Sequence, residues 1–233
     1  MVFLELFAPI IELIFFSCLF IYFATTYRKY KFEEMNSIGL CFFISILFFA
    51  AISIFDIISN FYFSKGVISF SIKLMLNTLA VVYLQTYLYK ASMAVADEEL
   101  TKKINFFTSN RSKIGYCNIF IFMMTPIAAA CLEGYRIAYR YYWILMAIYI
   151  ISTAYLVCLH IKTKSKIWHW ILFTFLNVVY WALYWRLEVN YFHYGYSAFV
   201  GLAEAIRVIK IIPLLLLKKT RFSDICVYNA EER

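Results

Sequence analysis

The stretch Ser37–Tyr62, SIGLCFFISILFFAAISIFDIISNFY, carries a single formal charge, Asp56, in a run dominated by Phe, Ile, Leu and Ala. At about 1.5 Å per residue such a run crosses a hydrocarbon core of about 30 Å with residues to spare. It lacks the ten-residue alternation of a barrel strand, and in lipid its backbone polar groups must be satisfied within the segment, so the run predicts an α-helix. Working outward, the same reading recurs at Leu4–Thr25, Val67–Tyr89, Gly115–Leu132, Tyr141–His160, Ile167–Trp185 and Gly195–Leu217. The expectation is therefore an all-α, polytopic membrane protein: a seven-helix bundle over residues 1–217 and a short tail over 218–233.

Composition agrees with that class. Of 233 residues, 64% are hydrophobic and 15% charged, well away from the near-half apolar and quarter charged content of ordinary soluble domains. Six Gly and three Pro leave little material for linkers, which excludes disordered and low-complexity classes. The first apolar run begins without a basic leader and contains Glu5 and Glu12, so it reads as a first span rather than a cleavable signal.

The distribution of Lys and Arg sets an expected orientation. Arg28, Lys29 and Lys31, then Lys90, Lys102, Lys103, Arg111 and Lys113, then Lys162, Lys164 and Lys166, and finally Lys218, Lys219, Arg221 and Arg233 fall on one side. The other side holds Lys65, Arg136, Arg140 and Arg186. By the positive-inside rule the N-terminus is outside and the C-terminus cytoplasmic, in a multi-pass protein expected in the cell membrane. The net charge of +8 would raise nucleic-acid binding in a soluble protein; here the basic residues flank spans, so anionic lipid head groups of the bilayer are the expected partners and nucleic acid is not. Trp143 and Trp185 at outer ends, and Trp168 with Trp170 at an inner end, suit an interfacial aromatic belt.

Charge at membrane depth is costly and marks functional candidates. Counting along each helix puts Glu12, Asp56, Lys73 and Glu204 in one layer, about 9 to 14 Å beneath the outer surface. The connection between the second and third spans is short, which makes them antiparallel neighbours and lets Asp56 meet Lys73. Glu204, Arg207 and Lys210 follow one another at three-residue spacing on one helix face. Either set serves as glue between helices or as a contact for a ligand or ion; the second set carries an excess positive charge unless Glu12 or a bound anion balances it. Asn77, Gln85, Thr86 and Asn177 are expected to hydrogen-bond across helices. Pro126 and Pro213, inside the fourth and seventh spans, read as packing bends or hinges.

Other chemistry is not indicated. The six cysteines have no metal spacing, five lie in apolar stretches, and they read as small buried hydrophobes. His160 and His169 fall on one side and His193 on the other, so the three do not converge on a metal. HExxH, GxSxG and P-loop patterns are absent, and no span pairs a Ser or Cys nucleophile with a base; no enzyme activity and no cofactor are expected. A retinal Schiff base at Lys210 lacks a carboxylate four residues earlier, where Ile206 stands, and the receptor patterns DRY and NPxxY are missing.

The stretch Phe55–Tyr89, FDIISNFYFSKGVISFSIKLMLNTLAVVYLQTYLY, resembles the second and third spans of the seven-helix sensor regions that precede GGDEF domains in bacterial diguanylate cyclases. The shared features are an Asp late in the second span, here Asp56, a short outer turn, and a Leu-Asn-Thr-Leu run, here Leu76–Leu79. No GGDEF sequence is present, so the resemblance implies a sensor without its enzyme, signalling through a separate partner or truncated. The expected function is a sensor or receptor-like protein that binds a small ligand in an outer-half cavity through Glu12, Asp56, Lys73, Glu204, Arg207 and Lys210 and signals to a cytoplasmic or membrane partner. The rival readings are a transporter or channel for a small ion or solute, and a structural or assembly subunit.

Overall fold

The computed structural model describes residues 2–30, 36–62, 67–94, most of 146–162, 168–194 and 199–215. Among the described residues all regular structure is α-helical and no strand occurs. The helices are α1 (Val2–Tyr30), α2 (Asn36–Tyr62), α3 (Val67–Ala94), α4 (Trp168–Tyr194), α5 (Phe199–Ile209) and the single turn α6 (Ile212–Leu215). A further helical stretch, Tyr149–Lys162, precedes α4. Among the described residues two helices, α1 over Phe7–Thr25 and α2 over Leu40–Asn60, are long and apolar enough to cross a membrane. The expected fourth span, Gly115–Leu132, lies outside the described residues, as do Trp143 and Pro126.

The first three helices alternate in direction. Glu12 meets Ser53, Phe16 stacks on Phe49 and Phe23 packs on Phe42, so each step along α1 is matched by an equal step back along α2. The pair α2 and α3 is antiparallel too: Lys73 meets Asp56, the Ser45 hydroxyl donates to the Ala80 carbonyl at 2.8 Å, and Tyr87 packs on Phe42. α4 runs against α3, with Tyr184 at the level of Lys73 and Trp170 at the level of Tyr87. The Tyr149–Lys162 stretch descends beside α3, since Tyr149 reaches Asn77 while His160 lies against Trp168.

Several charged side chains are buried with the apolar core while many large aliphatic ones face outward. Ile14 (59% exposed), Ile21 (61%) and Leu47 (52%) face outward, whereas Asp56 (4%), Lys73 (4%) and Arg207 (2%) are inside. Near the end that carries Thr25, Leu40, Tyr89 and Trp168, the interior is aromatic. Phe42 sits among Phe23, Tyr87 and Trp170, with ring centroids 4.5 to 5.3 Å away. Phe49 is stacked on Phe16 at 5.0 Å and takes the edge of Phe173 at 5.3 Å. Such pairs add about 0.5 to 1.5 kcal/mol each beyond the area they bury.

Several expectations need correction. α4 continues to Tyr194 rather than stopping near Trp185, and α1 and α3 also overrun their expected ends. The expected continuous helix Gly195–Leu217 is broken at Lys210–Ile211. Pro213 has no N–H to give to the Ile209 carbonyl, and its ring crowds that position, so the chain tightens into three-residue bonds, Ile211 N–H to Val208 O at 3.1 Å and Leu214 N–H to Ile211 O at 2.9 Å. Cys18 and Cys158 are exposed rather than buried, because both lie on outward helix faces. Trp170 is buried in the aromatic core instead of belonging to a belt, while Trp168 is half exposed.

The α1–α2 register is testable by cross-linking. In a background with the six native cysteines replaced, Phe16→Cys with Phe49→Cys is expected to form a disulfide on mild oxidation. Phe16→Cys with Ile54→Cys, a position facing outward, is expected to form none, as read by mobility on non-reducing gels.

Candidate functional site

All six ionisable residues expected at membrane depth come together in one buried cluster. Glu12 descends from α1, one turn above Phe16. Asp56 comes from α2, three residues beyond Ser53 on the same face, and Lys73 from α3 directly across the short connection. Glu204 and Arg207 stand one turn apart on α5, and Lys210 occupies the break that follows α5.

The ion pairs form an alternating chain. Lys73 Nζ lies 2.6 Å from Asp56 Oδ1, and Asp56 Oδ2 lies 2.7 Å from Arg207 Nη2. Arg207 Nε donates to Glu12 Oε2 at 2.5 Å, and Glu12 Oε1 lies 2.7 Å from Lys210 Nζ. Glu204 joins as a branch, its Oε2 3.8 Å from Arg207 Nη1. Arg207 is thus the hub, touching a carboxylate from each of α1, α2 and α5. Among the described residues the cluster counts three carboxylates and three cations, and Glu12 supplies negative charge to both Arg207 and Lys210.

Neutral hydrogen-bonding groups complete the shell. The Ser53 hydroxyl donates to Glu12 Oε2 at 3.0 Å, and Lys73 donates to the Tyr184 hydroxyl at 2.9 Å. Lys210 donates to Asn177 Oδ1 at 3.0 Å, Asn177 Nδ2 donates to Asn77 Oδ1 at 3.0 Å, and Asn77 Nδ2 reaches the Tyr149 hydroxyl at 3.5 Å. The expectation that Asn77 and Asn177 bond across helices therefore holds, whereas Thr86 bonds within α3, to the Val82 carbonyl. The Tyr180 ring faces both Lys210, at 4.9 Å, and Arg207, at 5.7 Å, giving the cations a negative π face where water is excluded.

Sequence reasoning did not assign Ser53, Tyr180 or Tyr184 to the site. The signal was present: Asn177, Tyr180 and Tyr184 repeat at helical spacing on α4, and Ser53 precedes Asp56 by three. A periodicity of polar residues inside an apolar helix marks the face turned to the bundle interior.

Charge balance rather than any single bond should govern stability. Removing one partner of a buried pair costs about 3 to 5 kcal/mol because the other charge is left uncompensated. Asp56→Asn is accordingly expected to lower unfolding stability by about that amount. The double variant Asp56→Asn/Lys73→Met, which restores equal numbers of carboxylates and cations, is expected to be more stable than Asp56→Asn alone in detergent-based thermal unfolding.

Comparison with protein-family models, with curated proteins and with solved structures finds no match, so the cluster itself carries the functional reading.

Proposed function

We propose that this chain is a seven-span membrane sensor or receptor-like protein, N-terminus outside, whose ionic cluster receives a small ligand from the outer side and biases the packing of the helices for a cytoplasmic or membrane partner. The observation that carries the reading is the division of the bundle interior into two unlike halves. The six charged residues occupy one half, and Phe16, Phe23, Phe42, Phe49, Tyr87, Trp170 and Phe173 fill the interior beyond them. A buried polar cluster on one side, backed by packed aromatic rings on the other, suits a receptor better than a pore, which needs a continuous path through both halves.

The seven spans of this reading are taken from the apolar runs of the sequence, and the direction of the described helices is compatible with them. α3 ends at Ala94 on the aromatic side, while the Tyr149–Lys162 stretch starts at the level of Asn77 and descends. In this reading Gly115–Leu132, the apolar segment between them in sequence, is the fourth span. With the basic loops at the aromatic end, the positive-inside rule puts that end in the cytoplasm. The resemblance of Phe55–Tyr89 to seven-helix sensor regions points the same way.

A signal requires two packings of differing affinity for the ligand. The break after α5 suits this role: Arg207 and Lys210 hold the cluster, and α6 follows within two residues. A second reading, transport, is favoured by the hydrogen-bond chain from Lys210 through Asn177 and Asn77 to Tyr149, which leads away from the cluster.

Two measurements separate these readings. Spin labels on Leu215→Cys, exposed just beyond the helix break, and on Trp168→Cys, exposed at the aromatic end, are expected to change separation when Glu12→Gln unbalances the cluster. Liposomes containing the protein are expected to pass neither protons, potassium nor chloride above the level of empty liposomes. Flux would favour the transporter, and an unchanged label distance would remove the coupling that a sensor needs.

A further inference from the structure

The segment that ends the bundle is built differently from the two that begin it. Among the described residues, α1 over Phe7–Thr25 and α2 over Leu40–Asn60 meet the length and apolarity that a membrane crossing needs. The segment Phe199–Leu215 departs on both counts. It places Glu204, Arg207 and Lys210 at successive three-residue intervals, two cations to one carboxylate. Its regular helix, α5, has 11 residues, which at about 1.5 Å per residue reaches about half way through a hydrocarbon core of about 30 Å. The chain then breaks at Lys210–Ile211 before the single turn α6. A guanidinium keeps its charge at any physiological pH, and each cation at mid-depth weighs heavily against insertion.

The groups that offset those cations stand on the first two helices. Glu12 of α1 is bonded to both: Arg207 Nε donates to its Oε2, and Lys210 Nζ lies 2.7 Å from its Oε1. Asp56 of α2 takes Arg207 Nη2 at 2.7 Å. Arg207 and Glu12 are 195 residues apart in the chain, so the carboxylate is made long before the cations that it meets. It has a partner within the α1–α2 pair as well. The Ser53 hydroxyl of α2 donates to Glu12 Oε2 at 3.0 Å, and Phe16 on Phe49 with Phe23 on Phe42 fix the register of the two helices. The α1–α2 pair therefore presents Glu12 at a set height and on a set face, through contacts that do not involve α5.

We propose that Phe199–Leu215 is a conditionally inserted segment: it enters the bilayer only against a formed α1–α2 pair, with Glu12 as the docking group that receives Arg207 and Lys210 together. The proposal rests on the seven-span topology of the preceding section and requires no ligand. Glu12 is singled out because, among the described residues, it is the carboxylate bonded to both cations, whereas Asp56 divides its oxygens between Arg207 and Lys73 of α3. Docking also brings the Lys210 ammonium over the rings of Phe49 from α2, at 5.9 Å, and Tyr180 from α4, at 4.9 Å, which replace part of its lost hydration. α5 packs on α1 and on α4, so its arrival closes the ring of helices around the cluster. Only four residues separate α4 from α5, so failure to dock leaves α5 on the outer side, or holds the α4–α5 pair back as a unit.

The test maps the two ends of the segment in the full-length chain. Cys226, in the tail, and Ser197→Cys, in the connection before α5, are each kept as the single cysteine and labelled with a membrane-impermeant maleimide in intact and in permeabilised cells. Only membrane-embedded protein is counted. With Glu12 present, Ser197→Cys is expected to label in intact cells and Cys226 only after permeabilisation, so the two lie on opposite faces. In Glu12→Gln the share of molecules with both positions on one face is expected to rise at least about tenfold, since an unmatched cation at mid-depth disfavours insertion by more than that factor. Either Cys226 gains labelling in intact cells or Ser197→Cys loses it. Adding Lys210→Met, which removes the cation left without its bonded carboxylate, is expected to restore opposite faces; general misfolding of Glu12→Gln would not be repaired by this second change. Labelling of Glu12→Gln that matches the parent, or a defect that Lys210→Met does not relieve, overturns the proposal and leaves the topology standing. Both positions on one face with Glu12 present overturns the seven-span topology itself.

Discussion

A guanidinium that is 2% exposed sets the terms for this bundle. Withdrawing Arg207 from water costs several kcal/mol even after relaxation, and only well-aligned carboxylates offset that cost. Glu12, Asp56 and Glu204 are those carboxylates, and they stand on three different helices. Asp56 then brings Lys73 from α3, and Glu12 brings Lys210, which draws in Asn177 from α4. Turning any one of these helices by a residue would carry a charge about 100° around the axis and leave its partner unmatched. The ionic layer therefore selects one rotational setting for α1, α2, α3 and α5 together.

The aromatic half works by a different rule. Where the surroundings are apolar, burying one more ring gives little preference for protein over lipid, and shape and polar contacts decide the packing. Phe42, held among Phe23, Tyr87 and Trp170, joins α1, α2, α3 and α4 at one level. Phe49 spans the two regimes: its ring stacks on Phe16 on one side and lies 5.9 Å from the Lys210 ammonium on the other. A shift in the charges is thus felt by the first ring of the aromatic stack.

The common level and the spacing of the charged residues were readable from the sequence. Counting residues from the ends of apolar runs put Glu12, Asp56, Lys73 and Glu204 at one height, and the three-residue interval joined Arg207 and Lys210 to them; a helix has fixed rise and rotation, so such counts carry over to space. The short link between Tyr62 and Val67 made the Asp56–Lys73 pair foreseeable. Contacts between helices far apart in sequence were not, since nothing in the period of α4 says that its Tyr180 faces Arg207 or that Asn177 meets Asn77. The break at Lys210 depended on whether neighbouring groups would carry the helix past Pro213, which is a property of packing. Cys18 and Cys158 were misplaced because an apolar run looks alike on its inner and outer faces, and residue type alone does not tell them apart.

Whether the cluster is only glue can be argued from the bundle itself. The aromatic half demonstrates that this sequence fills its interior with Phe, Tyr and Trp rings without any ion pair, so six charged side chains are not a requirement of helix packing here. Buried ion pairs commonly lose to apolar replacements of similar volume, which makes the ionic layer an expensive way to reach the same density. Its charges are also concentrated at one height rather than spread along the helices, as interhelical pairing alone would permit. The charges gather at one level, beside the helix break that follows α5. The break itself follows from Pro213, so the gathering of the charges at one height is the feature that helix pairing alone leaves open.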